Sequence, residues 1–176
     1  MLILIRGAGD IASGIGWRLC RSGFSVAMTD LEHPTAVRWK AAFCQAMWTR
    51  RCEVEGVAAV RCDSPSGAEA ALARGEIPIL PDPDGRAVRD LHPDVVVDAI
   101  LAKRNLGTCI TDAPLVIGVG PGFTAGEDCH CVIETMRGHT LGRCIYSGSA
   151  IPNTGIPGSV GGYTVERVLR TPCGGL

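Results

Sequence analysis

Apolar residues follow two rhythms along the first hundred positions. Leu2 to Arg6 is a short apolar run of strand character, and beyond the glycines that follow it Ile11, Ile15 and Leu19 recur at helical spacing as far as Arg21. Gly23 ends that helix. Phe24 to Thr29 reads as a second strand, and Pro34 opens a second helix through Trp48 whose Val37, Ala41, Phe43 and Met47 give it an apolar side. Glu53 to Cys62 predicts a small hairpin turning at Gly56. Ser64 then caps, and Pro65 starts, a third helix ending at Gly75. Ile77 to Leu80 resumes strand character, and after the turn signals of Pro81 to Gly85 comes a short helix. Asp94 to Ile100 follows, with consecutive valines that suit a strand buried on both faces. Strands alternating with helices predict an α/β protein with a Rossmann-like, doubly wound, mostly parallel sheet over residues 1–112.

The texture changes beyond Pro114. Leu115 to Val119, Cys129 to Glu134, Gly142 to Tyr146 and Glu166 to Leu169 read as strands with no clear helix between them. No repeat, low-complexity tract or linker separates the two parts, so residues 113–176 are expected to be a glycine-rich, strand-rich elaboration of one domain spanning 1–176.

With 176 residues, 46% of them hydrophobic, the chain can bury a full core. Its 17 basic and 18 acidic residues are spread throughout, with no basic stripe for a nucleic-acid backbone. Arg6 and Asp10 interrupt the apolar start well short of a signal-peptide core or a membrane span, so the expectation is a cytoplasmic protein engaging neither nucleic acid nor membrane. Nine cysteines form no evenly spaced framework and no Cys-x-x-Cys pair, and they read as reduced thiols without a structural zinc site.

Two glycine-rich loops carry the candidate chemistry. Gly7, Gly9 and Ala12 follow the first strand at Gly-x-Gly-x-x-Ala spacing and lead into a helix whose first amides can hold a pyrophosphate. Asp30 ends the second strand, where dinucleotide-binding folds place a carboxylate that accepts hydrogen bonds from ribose hydroxyls. Asp10 brings negative charge beside those phosphates, and a helix start in a fold that binds nothing there is the alternative. In the second loop, Gly118, Gly120 and Gly122 remove side chains where a strand leaves the sheet, and Phe123 and Thr124 close the turn. Backbone amides there can approach a ligand closely, unless this is simply a connection between buried strands.

Lys103, Arg104 and Asn105 follow a buried strand, where a fork of donors can hold phosphate or carboxylate and where a solvated turn is equally expected. After Asp128, Cys129 is the candidate thiolate, lowered in pKa by loop amides or by Lys103 or Arg104, with His130 as proton partner and a soft metal, sulfur or selenium as its target. On a strand, Cys129 and Cys131 share one face and His130 takes the other, which disfavours a Cys/Cys/His metal site. Core packing or surface exposure accounts for Cys20, Cys44, Cys52, Cys62, Cys109, Cys144 and Cys173. Asn153 and Thr154, in the proline- and glycine-rich stretch SAIPNTGIPG, read either as the roof of a pocket or as a surface turn.

Taken together, AKRNLGT from Ala102, APLVIGVGPGFTAGEDCH from Ala113, VIET from Val132 and NTGIPG from Asn153 resemble one family, the selenium-dependent molybdenum hydroxylase maturation proteins of the YqeB type. RGAGDIASG from Arg6 and the dipeptide GH at Gly138 also match. The resemblance implies a cytoplasmic bacterial accessory factor, similar in role to the xanthine dehydrogenase accessory factors, that binds or modifies molybdopterin cofactor or a nucleotide form of it before insertion into a molybdenum hydroxylase apoenzyme. The positions carried over are Gly7, Gly9 and Asp10, Lys103 to Gly107, Gly120 to Phe123, and Asp128 to His130; Glu127, Cys131 and Met136 depart from the pattern. Members of the family generally continue into a further small β-rich segment, so the resemblance implies a short member or a truncated chain. Two other readings stand beside this one: an NAD-dependent oxidoreductase using the first glycine loop, with His130 in a proton relay, and a non-catalytic interaction scaffold. Whether the chain catalyses anything, and whether it forms a homo-oligomer, is left open by the sequence.

Overall fold

Leu2–Arg6 forms strand β1, and helix α1 follows over Asp10–Arg21. Acidic Asp10 in the first turn of α1 and basic Arg18 and Arg21 in its last both complement the helix dipole. Strand β2 spans Ser25–Asp30. The single helix expected from Pro34 to Trp48 is absent. In its place stand two short 3-10 turns, Trp39–Ala41 and Phe43–Gln45, and one α-turn, α2, over Ala46–Thr49. The break falls at Ala42, whose backbone is extended at φ −130° and ψ 126°. Around it the Phe43 and Cys44 amides donate to Ser13 Oγ at 2.7 Å and to the Ala8 carbonyl at 2.9 Å, tertiary partners that replace helical ones. Stacked rings of His33, Trp48 and Trp39 hold the outside of this segment, with centroids 4.9 and 5.9 Å apart.

The hairpin is present as β3, Arg51–Val54, and β4, Val57–Arg61, turning through Glu55 and Gly56 at positive φ. Helix α3, Pro65–Ala73, starts where expected, and the Gly67 amide donates to the Ser64 hydroxyl. Then come β5 (Ile77–Pro81), α4 (Ala87–Leu91), β6 (Val95–Asp98) and β7 (Leu115–Val119). Short pieces follow: β8 (Thr124–Ala125), β9 (Cys131–Ile133), β10 (Cys144–Ile145) and β11 (Gly148–Ser149). The strand expected over Glu166–Leu169 is instead a 3-10 turn, Val165–Arg167, with Leu169 outside the described residues. This computed structural model describes residues 1–168 and Pro172, so Cys173 also lies outside them.

Among the described residues nine strands make one sheet in the order β10-β9-β7-β6-β1-β2-β5-β4-β3, parallel except for β3–β4 and β9–β10. The strand-rich C-terminal part therefore extends the same sheet through β7, β9 and β10, while β8 and β11 pair separately. Period-two alternation divides the core between the two faces. Ile3, Ile5, Val26, Met28, Val95 and Val97 pack with Ala12 of α1 and with Phe43 and Met47. Leu4, Ala27, Val96, Val116 and Val132 pack on the other face with Ala87, Phe123 and Cys129. Among the described residues no helix is long and apolar enough to cross a membrane.

Strand β1 pairs with β2 on one side and with β6 on the other, so the winding reverses at β1. Such a reversal opens a crevice at the carboxyl ends of the two central strands, because the connections leaving them diverge.

Candidate functional site

A cavity of about 350 Å³ fills that crevice. Gly7, Gly9, Asp10 and Ala12 line one wall, and Asp30 and Leu31 at the end of β2 another. Asp82, Ile100, Leu101 and Leu106 close it. Gly7 is required where it stands: its φ is +99°, and a Cβ would meet the Ala99 carbonyl oxygen at 2.9 Å, so the loop can lie against the exit of β6 only without a side chain.

The loop is held on every side by groups other than a ligand. Its Gly7 amide donates to the Thr29 carbonyl at 2.9 Å and its Ala8 amide to Asp30 Oδ2 at 2.9 Å. The Ala8 carbonyl accepts from Ser13 Oγ at 3.0 Å and from the Cys44 amide. The next four amides, Gly9, Asp10, Ile11 and Ala12, have no acceptor among the described residues. They converge at the positive end of α1, which makes this wall a donor surface for an anion. Asp10 adds a carboxylate there, as expected, but Arg38 forms an ion pair with it and offsets its charge.

Asp30 stands opposite. Burial pushes its pKa up, against the amides of Leu31 and Ala8 that pull it down. Those two amides each reach a different carboxylate oxygen, and the remaining lone pairs can still accept from ligand hydroxyls. Beside the cavity, burial and the neighbouring Asp30 carboxylate push the Cys44 thiol up to about 12, so it stays protonated.

The second glycine loop does different work. The space a side chain at Gly118 would take is filled by Phe123, whose ring carbon lies 2.5 Å from the Cβ position, and at Gly122 the backbone of Arg104 lies 2.6 Å away. Gly120 faces Thr135 and Leu101 in the same manner. These glycines let two protein loops interlock, and none of them lines the cavity. Asn105 and Asp128 are brought together for the same end. Asn105 Nδ2 donates to Asp128 Oδ1 at 3.1 Å and to the Thr108 carbonyl at 2.8 Å, and the Thr124 amide donates to Asp128 Oδ2 at 2.7 Å. Lys103 and Arg104 lie exposed on the intervening turn.

Cys129 reverses the expectation of a lowered pKa. Its side chain is fully buried beside Val116, Phe123 and Val132, and burial pushes the thiol up rather than down. Neither Lys103 nor Arg104 contributes to that balance. His130 takes the opposite face, exposed, and accepts a hydrogen bond from the Val116 amide at Nδ1. Asn153 and Thr154 are exposed and outside the cavity lining.

Three residues that sequence patterning did not nominate hold the site from below. Arg6 and Asp98, 5% and 1% exposed, end adjacent parallel strands in register and lie 3.5 Å apart. The Thr108 hydroxyl joins them, accepting from Arg6 Nη1 and donating to Asp98 Oδ2 at 2.6 Å. Arg6 Nη2 reaches the Leu106 carbonyl at 3.2 Å and so fixes part of the cavity rim. The available signal was one charged residue closing each of two apolar strands, which a buried sheet tolerates only when the charges meet.

These features define a mixed α/β protein with a large, mostly parallel sheet and a cavity walled by unpaired backbone amides at the carboxyl ends of its central strands. The chain is similar to the protein named "Uncharacterized protein YqeB" of Escherichia coli (strain K12), with 52% identity over 175 residues that cover 99% of this chain and 32% of that protein. It thus spans about a third of the length of the curated relative it matches. No family model matches the chain, and no solved structure matches it.

Proposed function

We propose that this chain is a Rossmann-like nucleotide-cofactor module that serves the maturation of selenium-dependent molybdenum hydroxylases in the cytoplasm, taking molybdopterin in its nucleotide form. The observation that carries the binding half of this reading is the set of four unpaired amides at the start of α1, facing a cavity with the Asp30 carboxylate across it. Amides and helix dipole suit a pyrophosphate, and Asp30 suits a ribose. The maturation half rests on the motifs that resemble that family.

The cavity fits the nucleotide end of such a cofactor and not its metal. Among the described residues no cysteine or histidine lines it, so none of them is assigned to molybdenum or selenium. The same absence bears on the oxidoreductase reading, since His130, its proton relay, stands elsewhere.

Anaerobic calorimetric titration of the chain with the cytosine dinucleotide form of molybdopterin, with NADH in a parallel cell, tests the proposal. Micromolar binding of the pterin nucleotide is expected, and Asp30→Asn should weaken it about tenfold or more, as loss of a hydrogen bond to a charged group does. Cys129→Ser should bind as the parent does. Absence of pterin binding at millimolar ligand, or tight binding of NADH alone, overturns it.

A further inference from the structure

A second cleft, of about 490 Å³, opens at the opposite edge of the sheet, where Gly23 and Gly75 precede β2 and β5 and where Gly56 turns between β3 and β4. Among the described residues its lining carries three guanidiniums, Arg21 from the end of α1, Arg51 from the start of β3 and Arg74 from the end of α3, against one carboxylate, Glu76. Glu76 draws two of them together. Arg51 Nη1 bonds Glu76 Oε1, while Arg74 Nε and Nη2 reach Oε2 at 2.9 and 2.8 Å. Arg21 pairs with no carboxylate among the described residues.

Arginines at the ends of α1 and α3 complement helix dipoles, but Arg51 begins a strand and answers to no dipole. What the three share is the cleft. Each guanidinium has five N–H donors, of which Glu76 takes one from Arg51 and two from Arg74 and none from Arg21, and the donors left over match phosphate oxygens in bidentate fashion. The glycines at the mouth all adopt positive φ, and among the described residues nothing lies within 4 Å of where their side chains would be, which leaves the entrance open.

We propose that this cleft binds a small polyphosphate anion, two or more linked phosphates lying across Arg21, Arg51 and Arg74. The net excess of two positive charges among its lining side chains calls for a multivalent anion rather than a single carboxylate. This site is separate from the cavity at α1 and does not depend on what that cavity holds.

Calorimetric titration of the 176-residue chain with tripolyphosphate, ATP and orthophosphate at constant ionic strength tests it. Tripolyphosphate held in this cleft should amount to one equivalent, told apart from any held by the α1 amides by its loss of affinity in Arg51→Gln. Arg51→Gln and Arg21→Gln, which alter exposed side chains, should each weaken it about tenfold, and Glu76→Gln, which removes the competing carboxylate, should tighten it several-fold. Asp30→Asn in the first cavity should leave it unchanged. Tighter binding of ATP than of tripolyphosphate would identify a nucleotide tail as the source, and the reverse a free polyphosphate; both support the site. Orthophosphate binding of equal affinity, tripolyphosphate binding indifferent to Arg51→Gln, or binding lost in Asp30→Asn overturns it.

Discussion

Glu134 shows how one side chain can organise a region with little regular structure. Its carboxylate is buried and accepts the Met136 amide at 2.7 Å and the Ile151 amide at 2.8 Å, tying the end of β9 to the loop beyond β11. Burial alone would raise its pKa, but the amides of Ile151, Met136 and Thr135 outweigh it and bring the value below the usual 4.5. A carboxylate held down in the folded state contributes stability that is complete above its unfolded pKa and lost as pH falls through the folded one. Thermal midpoints measured from pH 7 to pH 3 should therefore drop below pH 4.5 in the parent chain. Glu134→Gln should lie about 1–3 kcal/mol lower at neutral pH, with a flatter acid limb. The VIET motif flagged this stretch, yet nothing in its spacing revealed that the glutamate points inward. The same holds for Gly118 and Gly122, where glycine signals a close approach but not whether ligand or protein approaches.

Among the elements, local signals succeeded where the local chain supplies the partners. Glu55 and Gly56 turn the hairpin, and Ser64 with Pro65 starts α3, because these motifs are satisfied within a few residues. The segment from Pro34 to Trp48 has a helical apolar pattern and still breaks at Ala42. Its amides are drawn to Ser13 and Ala8, which lie 30 or more positions away and enter no local pattern. Ser13→Ala tests this account. It leaves the buried Phe43 amide without an acceptor and should cost about 1–3 kcal/mol in thermal unfolding. Faster hydrogen exchange at Phe43 and Cys44 should accompany the loss, and unchanged exchange there would show that Ser13 does not anchor the segment.

At the scale of the molecule, the buried Arg6, Asp98 and Thr108 join the two central strands to the loop that closes the cavity. Asp98→Asn leaves the Arg6 guanidinium in an apolar sheet without its counter-charge, and removing one partner of a buried pair costs about 3–5 kcal/mol. Urea unfolding should show a midpoint shift of that size at unchanged slope, and a loss under 1 kcal/mol would mean that water reaches Arg6. Hydrophobic periodicity determined the α/β class and most of the strands, and glycine spacing the first loop, because the face of a strand and the start of a helix are written in neighbouring residues. Tertiary structure alone decided which glycines meet a cavity and which meet another loop, whether Cys129 is a thiolate or a core thiol, and that Arg21, Arg51 and Arg74 share one cleft. Those outcomes depend on residues that come together only when distant strands pair, and burial, which sets their charge states, exists only after the sheet has formed.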